Sequence, residues 1–413
     1  MIMRILHTLS QKPEATGSGI TIREIIAQSH KKGHENFLFA GISGGETCRF
    51  PCYLEENHIF VEFNSENLPY DVAGMSDVMP YKSTRFSDLS EEDIIKYEEA
   101  FLEKLIISVE RFKPDIIHGH HLWILTGLMK RTFPEIPLIA HCHGTDLRQI
   151  QLCPQHRHRV ISGCSKVDGV LVLSGAQKEQ VVKTYGLSPE IAFLTGTGYN
   201  EQIFHNDRKE KKGRIEILYA GKLSRAKGVY WLLEALHKIS HFKWHLHMAG
   251  SGSGPEKDEI LKKSEEMKDK VTWRGQINQK ELAELMRLCH IFVLPSFYEG
   301  FPLVLIEALA SGCRIVVTEL PAVTEMKSEK SMPFISTVPL PRLNGPDRPV
   351  EEDVPLFVEN LKKSLEEQLY LSEEKLRDEE ITPLLKYYTW TEVFKRIEQV
   401  YEALIVNKRN KFL

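Results

Sequence analysis

Short apolar runs separated by helical segments recur along the whole chain, and this alternation constrains the fold more than any single residue does. In the first half, residues 4–9, 37–39, 115–118, 138–140, 170–173 and 191–194 read as strands. In the second half, residues 215–220, 245–248, 271–273, 291–294 and 315–317 repeat the pattern. Strands written as near-continuous Val, Ile and Leu runs are buried on both faces, so each series predicts a parallel sheet covered by helices. Between the series lies the most polar short stretch, residues 205–214, which reads as the handover between domains. The expected fold class is therefore α/β, with two Rossmann-like doubly wound domains, residues 1–205 and 206–389. Ligands of such domains bind outside the carboxyl ends of the strands, in a cleft between the two halves.

Length agrees, since 413 residues suffice for two or three domains with full cores. Hydrophobic residues at 42% and charged residues at 27% describe a globular protein. A net charge of −4 supplies no global basic field, which argues against nucleic acid as a partner. Seven cysteines form no even framework and point to a reducing, cytoplasmic setting. Residues 1–9 are too short and too soon followed by polar residues to read as a signal, and no apolar run approaches a bilayer span. Membrane contact, if any, is expected to be peripheral at the inner face, through basic stretches such as Lys130-Arg131 or Arg157-His158-Arg159, although solvated surface is the simpler reading.

The most informative local stretch runs from Glu299 to Gly312. Between Pro302 and Gly312 the sole charged residue is Glu307, and burying an ionised carboxylate without a partner costs several kcal/mol or more, so something polar is expected to meet it. Pro302 suits a first helical turn and Gly312 a helix stop. Free amides from Phe301 to Val304, at the positive end of the helix dipole, would seat a phosphate. Glu299, just outside that end, and Glu307, about one and a half turns in, could accept hydrogen bonds from hydroxyls. Two carboxylates flanking an anion seat suit a nucleoside diphosphate joined to a sugar; a buried structural Glu paired with a nearby Lys or Arg is the competing reading.

Glu299 and Glu307, followed by Ala308-Leu309-Ala310-Ser311-Gly312, resemble the E-x7-E signature of the retaining glycosyltransferases of family four (glycosyl transferases group 1), which have the GT-B fold. The resemblance implies that Glu299 contacts the donor sugar and Glu307 the nucleotide ribose, with Gly300, Phe301, Pro302 and Leu303 beside them. Gly221 to Gly228, at a strand–helix turn, is similar to the family's diphosphate clamp, which assigns Lys222 and Lys227 to the donor diphosphate. Lys222 stands where Arg is more usual; a lysine lacks the planar fork, and Arg225 could compensate. Gly250 and Gly252 open the next turn near the nucleotide, and Gly275, Gln276 and Ile277 match the segment whose main chain reads the base, most commonly uracil.

In the first half, His141-Cys-His143-Gly144-Thr-Asp146 resembles the family's H-G-x-D element, which makes His143 the histidine facing the reacting sugar; His118 and His120 end a neighbouring strand in a related pattern. Gly17 and Gly19 should approach the donor phosphate or the acceptor, in a loop ahead of a helix over residues 20–31. Asn200 replaces an Asp of the family pattern and suggests a structural role. A helix over 390–413 should cross back to complete the N-terminal domain. The spacing Cys153, His156, His158, Cys164 matches no common zinc site, and Cys48 and Cys52 offer less. No cofactor or metal is expected, the lysines and the helix dipole standing in for a divalent ion at the diphosphate.

The implied function is hexosyl transfer from a nucleoside-diphosphate sugar, with UDP the first expectation, to a glycan, lipid-linked or small-molecule acceptor, in cell-envelope or capsular polysaccharide assembly. Because fold does not fix reaction, a nucleotide-sugar epimerase, a phosphorylase or a non-catalytic partner subunit stands as the alternative.

Overall fold

The computed structural model describes the chain except for residues 14–15, 47–53, 55, 78, 207–212, 240, 328–331, 374–375, 377 and 412–413, so Cys48, Cys52 and most of the polar 205–214 stretch lie outside the described residues. The chain divides into two compact units, Met1–Thr197 with Trp390–Leu413, and Gly198–Thr389.

The first unit contains β1 (Arg4–Leu9), β2 (Glu35–Ser43), β3 (His58–Phe63), the two-residue strands β4 (Ala73–Gly74) and β5 (Thr84–Arg85), then β6 (Ile116–His120), β7 (Leu138–His141), β8 (Gly169–Val172) and β9 (Ala192–Leu194). Seven of these form one parallel sheet in the order β3-β2-β1-β6-β7-β8-β9. Strands are added outward from β1 on both sides, so the order reverses between β1 and β6, the point where doubly wound sheets receive ligands.

The two faces of this sheet are covered differently. Leu6, Ile117, Leu138 and Ala140 pack into the cluster that includes Tyr97, Phe101 and Leu105 of the helix Glu91–Phe112. That helix starts with a reciprocal cap in which Ser90 accepts from the Asp93 amide and Asp93 accepts from the Ser90 amide. On the other face Ile5, Ile116, Ile139 and Leu171 meet Trp390, Val393, Phe394, Ile397 and Tyr401 of the helix Trp390–Lys411. Apolar residues three and four apart give that helix one continuous stripe, and the stripe is what the sheet buries. The C-terminal helix is thus part of the first unit.

The first helix, Gly17–Lys31, begins three residues before the expected position. Thr16 caps it by accepting from the Gly19 amide at 3.1 Å, which draws Gly17 and Gly19 into the first turn instead of a loop ahead of it.

The second unit is built from β10 (Ile215–Ala220), β11 (Trp244–Ala249), β12 (Val271–Gly275), β13 (Ile291–Leu294), β14 (Arg314–Thr318) and β15 (Ile335–Val338). These make a parallel sheet in the order β12-β11-β10-β13-β14-β15, whose reversal lies between β10 and β13. Both sheets are the α/β arrangement expected from the sequence. The unit closes with the helices Val354–Tyr370 and Asp378–Tyr387.

Candidate functional site

In the second unit the donor-side residues singled out from the sequence lie at the carboxyl ends of β10 to β13, apart from Leu303 and Glu307 on the helix that follows. Residues 221–228 follow β10, 250–254 follow β11, 275–277 end β12, and 295–302 follow β13. These turns are stitched together by main-chain bonds: Gly221 N–H to Ala249 O at 3.0 Å, Leu223 N–H to Ser251 O at 2.9 Å, Gly250 N–H to Gly275 O at 2.8 Å, and Phe297 N–H to Ala226 O at 3.0 Å. Two glycines are required by this closeness. A Cβ on Gly250 (φ +139°) would lie 1.9 Å from Gly221 O, and one on Gly228 (φ +69°) would lie 2.0 Å from Pro295 O.

The helix that carries Glu307 runs from Leu303 to Ala310, one residue later than expected, because Pro302 adopts φ −80° and ψ +79° and sits at the cap. One of the amides anticipated as an anion seat is engaged within the chain, Leu303 N–H bonding Phe301 O at 2.9 Å, and the Leu305 N–H just beyond the seat bonds Pro302 O at 2.9 Å. At the other end Gly312 (φ +79°) stops the helix, its N–H reaching Leu309 O while the Cys313 N–H reaches Ala308 O, a Schellman closure.

Glu307 is 7% exposed. Its carboxylate makes no hydrogen bond or ion pair with any described residue, so the competing reading of a buried Glu–Lys or Glu–Arg pair fails. Desolvation alone pushes its pKa up to about 8. A carboxyl group held out of water without a partner among the described residues keeps its hydrogen-bonding capacity unused by the protein.

Glu299 and Lys227 meet directly. Lys227 Nζ donates to Glu299 Oε1 at 2.5 Å, both side chains keeping part of their surface in solvent. Beneath them the buried Tyr219 hydroxyl donates to Lys222 O at 2.6 Å; burial, and then the charge of Glu299, hold Tyr219 protonated well above the usual range. Arg225 does not compensate for Lys222. Its guanidinium is taken by Glu259, with one nitrogen 2.8 Å from each carboxylate oxygen, and stacks over Tyr230 at 4.9 Å. Lys222 and Gly252 border the same turns, Leu223 O lying 2.8 Å from where a Gly252 Cβ would be. Gln276 is exposed, whereas Ile277 packs on the core that holds Leu305 and Ile306. Gly300 is half-buried, and the Phe301 ring packs at a tilt against Tyr388, centroids 5.1 Å apart. Asn200 accepts from the Gln202 amide in a turn, as a structural residue would.

In the first unit, His143 is held by two contacts. Its N–H donates to Asp146 Oδ2 at 2.8 Å, and its Nε2 lies 3.1 Å from His120 Nδ1. Asp146 is fully buried and also accepts from Leu122 N–H at 2.6 Å, so one carboxylate joins the ends of β6 and β7. Burial raises its pKa, but His121 and the amide donors outweigh that and hold the carboxyl below the usual range. His143 belongs to a larger group that the sequence only half reveals. His7 on β1 and His141 on β7 join His118, His120 and His143; burial lowers the pKa of all five imidazoles and keeps them neutral, and repulsion between neighbouring histidines adds to it at His118, His120 and His143. The signal is a repeated I-x-H spacing: Ile5/His7, Ile116/His118 and Ile139/His141.

Gly17 opens the first helix with open space where a Cβ would project, nothing lying within 4 Å, and the Gly19 amide is spoken for by Thr16. The zinc spacing dissolves into separate bonds: Cys153 donates to Gln149 Oε1, His156 Nε2 sits 3.0 Å from Phe86 O, and Cys164 donates to Trp123 O. Within the basic stretches Lys130 pairs with Asp168 at 2.5 Å, Arg131 with Glu98, and Arg159 with Glu98 and Glu91. No helix among the described residues is long and apolar enough to cross a membrane.

Residues 15–200 match the family described as Glycosyltransferase Family 4, and residues 200–332 match Glycosyl transferases group 1. A glycogen synthase of Mycobacterium tuberculosis is 24% identical over 223 residues, covering 51% of this chain and 53% of that protein; the chain spans about half the length of the curated relatives it matches. In fold, the chain is similar to sucrose-phosphate synthase from Thermosynechococcus elongatus, with TM-score 0.68, 18% identity, and 98% and 100% of the two chains covered. It is also similar to Anabaena HepE solved in complex with UDP, with TM-score 0.64, 13% identity, and 97% and 100% covered.

Proposed function

The chain belongs to the group 1 and family 4 glycosyltransferases of GT-B fold, and from that premise we propose that it transfers a hexosyl unit, with retention of configuration, from a nucleoside-diphosphate sugar. The observation that carries the reading is Glu307, a carboxylate 7% exposed and without a partner among the described residues. Two ribose hydroxyls donating to it would supply what the protein does not, and would favour its ionised form. The Lys227–Glu299 pair is partly exposed, and such pairs contribute about 1 kcal/mol or less, so a diphosphate with two charges can draw Lys227 away. Glu299 is then released to the sugar hydroxyls, and Lys227 with Lys222 stabilises charge growing on the departing diphosphate. Gly250 and Gly275 let the main chain approach the nucleoside, and His143, fixed by Asp146, faces the reacting sugar.

UDP is the nucleotide to test first, since HepE carries it in its solved complex. The acceptor belongs to a glycan, lipid-linked or small-molecule class of envelope polysaccharide assembly. Calorimetric titration with UDP, GDP and ADP should show one of them binding, with Glu307→Ala weakening it at least tenfold. Equal affinity of wild type and Glu307→Ala for every nucleotide would remove the reading. Incubating the donor with and without acceptor separates transfer from epimerisation, which needs no acceptor.

A further inference from the structure

In three strands of the first unit the same face of the sheet changes from isoleucine to histidine toward the carboxyl end. Strand alternation puts Ile5 and His7 on one face of β1, and Ile116, His118 and His120 on one face of β6. Parallel register sets His7 beside His118 and His120 beside His141. The isoleucines pack under the helix Trp390–Lys411; the histidines take over where the strand order reverses, between β1 and β6.

One ring nitrogen from each of His7, His118 and His120 lies within 4.8 Å of the others. All three residues are buried, at 0%, 0% and 3% exposure. Each has one nitrogen with no protein partner: His7 Nδ1, His118 Nε2 and His120 Nε2. The other nitrogen of each ring is held: His7 Nε2 lies 3.0 Å from Asn36 Oδ1, His118 Nδ1 lies 2.6 Å from Tyr401 Oη, and His120 Nδ1 lies 3.1 Å from His143 Nε2. A ring with one nitrogen anchored and the other unpartnered is what a metal-ligating histidine presents. The neighbouring set of His120, His141 and His143 is less complete, because neither nitrogen of His141 is anchored and His143 is already committed to His120.

We propose that His7, His118 and His120 bind one divalent ion of the zinc class at the switch point of the first sheet. Imidazole nitrogen suits zinc, copper, nickel and cobalt, and disfavours magnesium and calcium. Zinc–nitrogen bonds of about 2.1 Å place tetrahedral ligands about 3.4 Å apart, so the rings close inward slightly on binding. The fourth position falls to water or to His141, whose ring centroid is 5.6 Å from those of His118 and His120. The ion would tie β1 to β6 and fix His120, and through it His143. Its ligands all belong to the first unit, whereas the lysines proposed for the donor diphosphate belong to the second.

The test uses the full chain, stripped with a chelator and titrated with cobalt(II) or zinc chloride. Wild type should hold one ion per chain, with the visible bands of tetrahedral cobalt that zinc abolishes. His7→Gln and His118→Gln should each weaken binding about 100-fold or more, and Asn36→Ala, which keeps all three ligands, about tenfold. His241→Ala, an exposed histidine of the other unit, should change nothing. Failure of wild type to bind cobalt or zinc stoichiometrically overturns the proposal whatever the variants do. So does unchanged affinity in Asn36→Ala together with either histidine variant; circular dichroism identifies variants that unfold, and for these the Asn36→Ala result decides.

Discussion

The two units share a sheet plan yet equip their switch points in opposite ways. At the β10 and β13 switch point the turns carry Lys227 and Glu299, partly open to water, and the helix that follows β13 carries Glu307, all charged or chargeable groups. Between β1 and β6 the strands themselves carry His7, His118 and His120, neutral and buried. The first arrangement suits a polyanionic, hydroxylated ligand that comes and goes. The second keeps polar atoms inside the sheet, where position outlasts any one ligand. One topology thus places chemistry at the same spot twice, and side-chain type decides whether that spot serves exchange or anchorage.

The largest effect that would sharpen this contrast is on transfer. Glu299→Ala should lower turnover about 10³-fold, the scale of losing a group that acts on developing charge, while leaving the melting temperature nearly unchanged, since the residue is partly exposed. Radiolabelled-sugar transfer and calorimetry measure both, and a variant that melts much earlier would place Glu299 with the structural residues. Asp146→Ala should do the reverse in kind. Removing a buried carboxylate that accepts two amides should cost about 3 kcal/mol, read from the denaturant midpoint, and a loss under about 1 kcal/mol would break the picture of an anchored first unit.

Proton linkage comes next. With a pKa near 8 Glu307 is mostly protonated at pH 7, about nine parts in ten. Nucleotide binding should therefore release close to one proton in wild type and none in Glu307→Gln, as titrations in buffers of different ionisation enthalpy would report. The same shift has a stability sign. A raised carboxyl pKa means the native state holds a proton the unfolded chain has lost, so stability falls as pH rises from about 4.5 to about 8, and Glu307→Gln should flatten that slope. The smallest effect is reserved for Arg225→Ala, with kcat/KM changed less than about twofold because its guanidinium already serves Glu259 and sits on the exposed rim. A tenfold loss would return Arg225 to the diphosphate.

Legibility followed the same divide. Strands such as β1, β10 and β13 stood out because they are buried on both faces and written in aliphatic residues. β3 (His58–Phe63) did not, since an edge strand that alternates polar and apolar residues resembles ordinary surface. Glu299, Glu307 and Lys227 were visible as charges in apolar or glycine-rich context. What the sequence could not announce was that Lys227 and Glu299 hold each other, or that Arg225 turns to Glu259, because side-chain partners thirty or seventy residues away are chosen by packing. His118, His120 and His143 were visible as strand-end histidines, while His7 and His141 carried no assignment of their own. Only the parallel register of β1, β6 and β7 brings them side by side, and register is written in no single strand.

The helix Trp390–Lys411 covers a face of the sheet that begins with β1. During synthesis the earliest strands to leave the ribosome must therefore wait, with Ile5, Ile116 and Ile139 uncovered, until the whole of the other unit has been made. The half of the protein that is translated first is the half that is finished last, and a chain stopped short of Trp390 would expose a greasy sheet to every chaperone and neighbour it meets.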